Sequence, residues 1–426
     1  MTELCNTAQD ALNILKSGDT LWCHSMAATP YRLLEALAEK ALSLQDLTLM
    51  QLHLEHADAL CAASLDGHLR NRCFFVGKEM RELVNNGRAD YVPIFLSEIP
   101  RLFRQKVQPV DVALIQVSPP DRHGNCSLGV SVEATRAACD VAKTIIAQIN
   151  PRMPRTHGDA CIPYCDIDYA VEIDSALPEH PPATLNEVHL RIGRHVAELV
   201  ENGDCLQTGI GAIPDAALHF LQQHDNLGIH TEMFADGILP LIERGVITNR
   251  NKVVQRGKLV TGFVLGSNAL YDFVDDNTDI AFTDIEEVNN PAVIRKNPQA
   301  VSINSAIQID LSGQVCADSI GSRIYSGFGG QVDFVTGAQL SKGGRSIIAL
   351  PATAAGGTVS RLVTQLSPGA GVVTSRAQID HVVTEFGVAS LRGCSLRERA
   401  RALIAIAHPD FQDPLHRQCF DAGLCL

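Results

Sequence analysis

The sequence predicts an α/β protein that consists of two related open α/β domains with mostly parallel sheets. Short β-branched and aliphatic runs that end at Gly, Pro or Ser alternate with helical patterns along the chain, which is typical of parallel strands joined by helices. A turn, a short strand, a small-residue loop and a proline-started helix occur twice in this order. The length of 426 residues fits two to three domains of about 150 residues each.

A proline-rich stretch separates the two predicted domains. Ser175–Ala183 has three prolines within five residues, and neither a helix nor a strand continues through such a sequence. We therefore place an N-terminal domain at residues 1–180 and a C-terminal domain at residues 181–426. Thr184–Glu187 follows with the pattern of a capping box, which predicts the start of an amphipathic helix.

The predicted duplication is seen where each domain begins. Gly18–Ser25 supplies the turn and the strand in the first domain, and Pro30 starts the helix. Gly203–Gly209 and Pro214 repeat this arrangement in the second domain. The strand after each helix carries a histidine: Leu47–His56 in the first domain and Leu227–Glu232 in the second.

The remaining elements are predicted from shorter patterns. Further strands are expected at Val112–Val117, Leu259–Leu265, Ser346–Leu350 and His381–Thr384. The first residues, up to Asp19, have the pattern of an amphipathic helix. A last helix starts at the capping box Ser395–Glu398 and is expected to stop at His408, which precedes a proline.

Composition and charge argue against several classes of partner. The 35 Lys and Arg residues stand against 48 Asp and Glu, a formal net charge of −13, which disfavours nucleic acid and anionic membranes. No run reaches the roughly 18 apolar residues of a membrane span, and the N-terminus lacks a signal-peptide pattern, so we expect a cytoplasmic protein. The 13 cysteines are scattered singly, which favours reduced, packed thiols.

Two groups of residues have donor atoms for a metal ion. They are His53–His56 and the trio His157, Cys161 and Cys165. Neither has the spacing of a zinc finger or a zincin, so ordinary packed or edge residues are favoured over a metal site. A GxSxG elbow, a P-loop and an HExxH motif do not occur in the sequence.

Two glycine-rich loops of the second domain are candidate ligand-binding segments. Gly209–Pro214 follows a predicted strand and opens a helix, so its backbone N–H groups can converge on an anion or a developing oxyanion. Ser326–Gln331 has three glycines in four positions, which lets the backbone approach a ligand closely. A tight turn is an equally good interpretation of the second loop.

Glu232 is the candidate nucleophile. It lies at the end of a predicted strand among Ile229, Met233 and Phe234. Desolvation of a carboxylate in such a setting raises its pKa and enhances its nucleophilicity. The alternative is a half-exposed glutamate paired with a base, and the residue pattern leaves both interpretations open.

Several motifs occur in a characteristic order along the chain. They are Gly209–Asp215, His230–Gly237, Leu270–Phe273, Val301–Asn304 and Ser326–Phe334, with Val117–Ser127, Ser341–Gly344, Ser360–Arg361, Val383–Gly387 and Ile406–Pro409 as further segments. In order and spacing they resemble the acetyl-CoA hydrolase/transferase family, and within it they are most similar to 4-hydroxybutyrate and butyrate:acetate CoA-transferases. The resemblance spans nearly the whole chain.

This resemblance implies two CoA-transferase-like α/β domains with the active site between them, a homodimer, and a glutamate that becomes covalently attached to CoA. The family's glutamate matches Glu232. The residues that match the family's CoA-binding stretch are Gly209, Ile210, Gly211, Ala212 and Ile213, and those that match its second glycine loop are Gly327, Gly329 and Gly330. Asn304, Gln331 and Lys342 are further candidate CoA-binding residues. Lys342 and Arg361 are the candidates for holding the CoA phosphates.

The implied activity is transfer of CoA from a short-chain acyl-CoA, such as 4-hydroxybutyryl-CoA or butyryl-CoA, to acetate. CoA is then a substrate that is bound covalently to Glu232 as an intermediate, and no metal or redox cofactor is required. An acyl-CoA hydrolase with a wetter pocket and a non-catalytic acyl-CoA sensor are the alternatives. A dinucleotide-dependent dehydrogenase is disfavoured, because no GxGxxG opens a βαβ unit with an acidic residue about 20 positions on. The preferred acyl group stays open.

Overall fold

The computed structural model describes residues 2–423, which form two compact units. The first unit consists of the chain up to His180, Val260–Val288 and Ile324–Gly327, and the second consists of Pro181–Leu259, Asn289–Arg323 and the chain from Phe328. The first break between the units falls within the proline-rich stretch, which has neither helix nor strand. Both units are discontinuous in sequence, whereas the predicted domains are continuous.

An eight-stranded sheet organises the first unit. Its strands are β1 Glu3–Leu4, β2 Thr20–Cys23, β3 Leu47–Gln51, β4 Leu69–Cys73, β5 Asp90–Tyr91, β6 Val112–Val117, β7 Thr144–Ile149 and β8 Tyr169–Glu172. They lie in the order β1-β8-β7-β6-β2-β3-β4-β5, and every neighbouring pair is parallel. Parallel neighbours need crossover connections, and helices supply several of them.

The helices of the first unit are Ala8–Ala11, Tyr31–Ala41, Arg81–Asn85, Ile99–Arg104, Thr135–Val141, Asn268–Val274 and Ile285–Val288. The proline-started helix Tyr31–Ala41 is confirmed, and it buries Leu33 and Leu37 in the core. The amphipathic helix expected at the N-terminus is wrong in extent. The N–H groups of Glu3 and Cys5 donate to the carbonyls of Asp168 and Ala170, next to and within β8, so this segment is extended before a short helix begins.

A six-stranded sheet organises the second unit. Its strands are β9 Cys205–Gln207, β10 Gly228–Ile229, β11 Ala300–Ser305, β12 Arg345–Ala349, β13 His381–Thr384 and β14 Gly387–Ser390. They lie in the order β10-β9-β11-β12-β13-β14, and the pair β13–β14 alone in this sheet is antiparallel. The α/β class with mostly parallel sheets is therefore confirmed.

The helices of the second unit are Glu187–Ala197, Ala212–Phe220, Leu239–Glu243, Pro291–Ile294, Gln331–Leu340, Leu396–Ala405 and Pro409–Asp421. The capping box at Ser395–Glu398 is confirmed. The one predicted at Thr184–Glu187 is wrong, because Asn186 is the extended N-cap residue and its side chain accepts from the N–H of His189 at 2.9 Å. The helix expected to stop at His408 ends earlier, at Ala405, and His408 is the N-cap residue of the next helix, which starts at Pro409.

Shorter strands complete the chain. They are Asn125–Ser127, Cys161–Pro163, Met233–Phe234, Leu259–Thr261, Phe263–Val264, Ile280–Phe282, Gln308–Asp310, Val315–Cys316, Ser319–Ile320, Arg323–Ile324, Thr353–Ala354, Val359–Ser360 and Leu362–Val363. The strand predicted at Leu259–Leu265 is thus divided in two at Gly262.

Across residues 2–423, no helix combines the length and the apolar character that a membrane crossing requires. Among the cysteines of the described residues eleven are free, but Cys419 is disulfide-bonded, so the expectation of reduced thiols is wrong there.

Candidate active site

The carboxyl ends of β9, β10 and β11 carry most of the predicted site residues. In a parallel sheet these ends meet at one edge, which is where α/β proteins bind ligands. The loop Thr208–Gly211 follows β9, Glu232 follows β10 within three residues, and Asn304 lies near the end of β11. The second unit therefore gathers the candidate nucleophile, the first glycine loop and one predicted CoA contact at one sheet edge.

Glu232 is half-buried and is held by two donors of the second unit. The Asn289 side-chain amide donates to Glu232 Oε2 at 2.9 Å, and the backbone N–H of Gly330 donates to the same carboxylate. Burial raises the pKa of Glu232 to about 7, with a further rise from the negative charge of Asp333. Both hydrogen bonds oppose this rise. Near neutral pH the group can therefore act as a poorly solvated carboxylate, a state suited to nucleophilic attack.

Gly330 makes room for this carboxylate. A Cβ atom at this position would overlap both Glu232 Oε2 and Asn289 Nδ2. Gly330 also directly precedes the ten-residue helix Gln331–Leu340, and the amino end of a helix favours a negative charge. Glycine is required here for space, since the φ of Gly330 is an ordinary −93°.

Thr231 joins the first glycine loop to the segment that carries Glu232. Its side chain is fully buried. Thr231 Oγ1 lies 2.8 Å from the carbonyl oxygen of Thr208 and accepts from the N–H of Thr208 at 3.3 Å. The end of β9 and the end of β10 are therefore held in register beyond the last strand residues.

The loop that ends β9 leads directly into the helix Ala212–Phe220. Gly211 has a φ of +104°, a conformation that side chains other than glycine rarely adopt. The first four N–H groups of a helix have no partner within it, so Ala212 and Ile213 present donors at this end. Ile210 is 46% exposed. These features fit an anion-binding turn.

Asn304 and Gln207 form an amide pair at the ends of β11 and β9. Asn304 Nδ2 donates to Gln207 Oε1 at 3.0 Å, and Gln207 Nε2 donates back to Asn304 Oδ1 at 3.3 Å. Arg361 lies on the same sheet edge, because its Nη1 donates at 3.3 Å to the carbonyl of Ala306, which follows β11. Its role in holding a CoA phosphate stays a prediction.

The two remaining predicted residues are placed differently from one another. Lys342 is in the turn before β12, and its carbonyl accepts at 2.9 Å from the N–H of Gln299, which precedes β11. This turn is at the amino edge of the sheet, opposite Glu232, because a loop between a helix and the next parallel strand returns to the strand's start. Gln331 is buried, and its amide donates to Thr374 Oγ1 at 2.9 Å inside the unit.

The second glycine loop is shared between the two units. Gly327 belongs to the first unit, where a Cβ atom would lie 3.1 Å from the Phe75 ring. Gly329 and Gly330 belong to the second unit, and Gly329 has a φ of +55°. The loop therefore includes a tight turn at Gly329 and a close approach of the backbone to Glu232 at Gly330. Ligand binding by this loop stays a prediction.

Asn289 is the site residue that sequence reasoning missed. It is fully buried and lies 57 residues from Glu232 along the chain. The sequence around it, Asn289-Asn290-Pro291, is a typical helix start, and Asn290 is the N-cap residue of Pro291–Ile294. No local pattern distinguishes the asparagine that caps the helix from the one that contacts Glu232.

The residues considered for metal binding lie in the first unit, and two of the histidines, His53 and His157, are in ion pairs. Glu55 Oε1 lies 3.0 Å from His53 Nε2 and 3.1 Å from His180 Nε2. Hydrogen bonds from the two imidazoles hold the pKa of Glu55 well below its ordinary value despite burial. His157 contacts Asp276 at 3.0 Å. In the part of the chain that the structure describes, no group of three or more His, Cys, Asp and Glu residues could hold a metal ion.

Comparisons with known proteins identify the family of the chain. Family models for the N-terminal and C-terminal domains of acetyl-CoA hydrolase/transferase match residues 2–179 and 266–419. The chain is 54% identical to the 4-hydroxybutyrate coenzyme A transferase of Clostridium kluyveri over 82% of this chain and 81% of that protein. It is 47% identical to the succinyl-CoA:acetate/propanoyl-CoA:succinate CoA transferase of Fasciola hepatica over 98% of this chain and 87% of that protein.

A solved structure extends the likeness to the fold. The crystal structure of 4-hydroxybutyrate CoA-transferase from Porphyromonas gingivalis is similar with a TM-score of 0.85 and 38% identity, and the match covers 99% of this chain and 98% of that one. Both domains of the family are matched in the expected order. The chain therefore belongs to the acetyl-CoA hydrolase/transferase family.

Proposed function

We propose that the chain is an acyl-CoA:carboxylate CoA-transferase that moves CoA from a short-chain acyl-CoA, 4-hydroxybutyryl-CoA or butyryl-CoA, to acetate. The half-buried carboxylate of Glu232, held by Asn289 and Gly330, is the observation that carries this proposal. The relatives named for CoA transfer support the reaction class. They also differ in the acyl group that their names give, so the acyl preference is the finer part of the proposal.

The first step is attack of a Glu232 carboxylate oxygen on the thioester carbonyl carbon. A C–O bond forms, the C–S bond breaks, and CoA leaves as a thiolate, which gives an acyl-glutamyl anhydride. The thiolate then attacks the glutamyl carbon. The bond between that carbon and the bridging oxygen breaks, so the donor acid leaves as a carboxylate and a glutamyl-CoA thioester remains. Acetate reverses both steps to give acetyl-CoA.

The donors on Glu232 suit the second step. When the thiolate attacks the glutamyl carbon, one carboxylate oxygen becomes an oxyanion. Asn289 Nδ2 and the N–H of Gly330 already point at this group, so they can stabilise the charge without rearranging. The N–H groups of Gly209–Ile213 are proposed to bind an anionic part of CoA or the thioester oxyanion. No step requires a metal ion or a redox group.

One assay distinguishes CoA transfer from the nearest alternative, acyl-CoA hydrolysis. Butyryl-CoA is incubated with the protein with and without acetate, and both acetyl-CoA and free thiol are measured. The proposal predicts acetyl-CoA in the presence of acetate and little free thiol in either case. Free thiol that appears equally fast with and without acetate would contradict transfer and favour hydrolysis.

Assembly and location are further proposals. We propose a homodimer, as the resemblance indicates, and a cytoplasmic location. Sedimentation of the purified protein at several concentrations would give the mass of the assembly. A single species with the mass of one chain would contradict the dimer.

A further inference from the structure

β10 is an outer strand of the six-stranded sheet, and side chains complete its open side. The backbone N–H and carbonyl groups of Ile229 point away from β9. The residues on either side of it, Gly228 and His230, are the ones whose N–H groups donate to carbonyls beside and within β9. Asn249 Oδ1 accepts from the N–H of Ile229 at 2.8 Å, and Lys252 Nζ donates to the carbonyl of Ile229 at 2.6 Å. Two side chains thus take the place of a neighbouring strand.

Lys252 is unusual for a lysine because its side chain is 2% exposed. Its amine also donates to the carbonyl of Lys258 at 2.5 Å, so backbone carbonyls rather than a carboxylate hold it. Burial lowers the pKa of Lys252 to about 8. A Cβ atom at Gly228 would lie 2.8 Å from Lys252 Cγ, so glycine there leaves room for the side chain. Burying an ammonium group this way is costly, which argues against a chance arrangement.

The side chains of both residues between Ile229 and Glu232 are held by hydrogen bonds. Asn297 Nδ2 lies 3.3 Å from His230 Nδ1, and Thr231 is bonded to Thr208. Ile229 is the last residue of β10 and the start of this short path to the carboxylate. A shift of the Ile229 carbonyl would therefore be transmitted to Glu232, because the short segment between them has little freedom to move.

We infer that Lys252 is a positioning residue for Glu232, which it acts on through the Ile229 carbonyl. The inference rests on the proposed function, in which Glu232 is the nucleophile. Lys252 is not proposed to touch substrate. Its role is to hold the end of β10 in the position that lets the Glu232 carboxylate accept hydrogen bonds from Asn289 and Gly330.

The test compares Lys252→Met with the matched control Lys258→Met. Methionine has a similar length but no donor, while the control removes a lysine from the same segment and leaves the backbone carbonyl of residue 258 in place. Butyryl-CoA is mixed with each protein, and formation of the covalent Glu232 adduct is followed by mass spectrometry in a single turnover. Affinity for CoA is measured separately by titration, and folding by circular dichroism.

We expect Lys252→Met to slow adduct formation roughly tenfold to a hundredfold, since displacement of a reacting group by about 1 Å has effects of this size. Its affinity for CoA and the rates of Lys258→Met should match the wild type. A wild-type rate in folded Lys252→Met would overturn the inference and leave the proposed function intact. A wild-type protein that forms no adduct at Glu232 would instead overturn the proposed function.

A second variant covers the case in which Lys252→Met does not fold. Asn249→Gly removes the other side-chain partner of Ile229, and glycine suits the φ of +56° at this position. It should also slow adduct formation while CoA affinity is kept. If, in either variant, the rate falls only in proportion to the fraction of folded protein, the residue has a purely structural role. That result would overturn the inference.

Discussion

The side-chain amide of Asn289 donates a hydrogen bond to Glu232 Oε2 at 2.9 Å. Asn289 is fully buried, and within residues 2–423 its Oδ1 atom has no hydrogen-bond partner. A buried amide with one unpaired oxygen is costly, and its amide nitrogen is the part that contacts the carboxylate. Asn289 therefore acts at this site as a hydrogen-bond donor to Glu232.

Asn289→Asp is expected to slow CoA transfer by roughly a hundredfold, the scale of losing one preorganised donor at a developing charge. The new carboxylate cannot donate when ionised, and its charge opposes ionisation of Glu232. The measurement is kcat with saturating butyryl-CoA and acetate. Asn290→Asp is the matched control, because Asn290 caps the next helix through its side-chain oxygen and aspartate caps equally well. Wild-type kcat in Asn289→Asp would contradict the role of the amide.

Gly330→Ala is expected to reduce adduct formation at least about a hundredfold, since the reacting carboxylate must move. The added Cβ would occupy the space of Glu232 Oε2 and Asn289 Nδ2. Single-turnover mass spectrometry with butyryl-CoA measures the rate, and the melting temperature reports the cost to folding. A stable Gly330→Ala protein that reacts at the wild-type rate would show that the carboxylate acts from another position.

The rate of adduct formation should rise with pH and level off above about 7. Burial raises the pKa of Glu232 to about 7, and the ionised carboxylate is the nucleophile. Below this pKa most of the group is protonated and cannot attack. Single-turnover rates over a series of buffers test this dependence. A rate that is constant through this range, or that falls as the pH rises, would contradict a nucleophile with this pKa.

Glu232→Gln is expected to raise the melting temperature at pH above 7. The pKa of Glu232 is raised from an ordinary value of 4.5 to about 7 in the folded protein, so the stability linked to this group is present below 4.5 and is lost as the pH rises through 7. Glutamine does not titrate, so the variant should gain a few degrees at alkaline pH and lose this advantage below 4.5. The exposed Glu243→Gln is the control. An advantage that is independent of pH would contradict the raised pKa.

Much of the fold follows from local sequence patterns. Val112–Val117 and His381–Thr384 are strands with the predicted bounds. For Val112–Val117 the reason is that a strand buried in a parallel sheet is a nearly continuous apolar run. The capping box at Ser395 is also correct. The start of the helix after the linker cannot be predicted from the local sequence, because Thr184 and Asn186 are both good N-cap residues. The tertiary structure determines that Asn186 is the N-cap.

The site was predictable in part. Glu232 follows a short strand among apolar residues, and this pattern is visible in the sequence. Asn289 and Lys252 are brought to Glu232 and Ile229 by tertiary structure, and a lysine in a polar segment gives no sign of being 2% exposed. Lys342 has a suitable charge but precedes its strand, so it lies at the opposite edge from residues that follow strands.

The covalent state of Glu232 tests the central claim most directly. Butyryl-CoA is added to the protein, borohydride is used to reduce any thioester, and the peptide that contains Glu232 is analysed by mass spectrometry. The account predicts that Glu232 is reduced to the alcohol, that the protein is inactivated, and that both effects require butyryl-CoA. Transfer of CoA to acetate with Glu232 unmodified, or with the modification on another residue, would contradict the account.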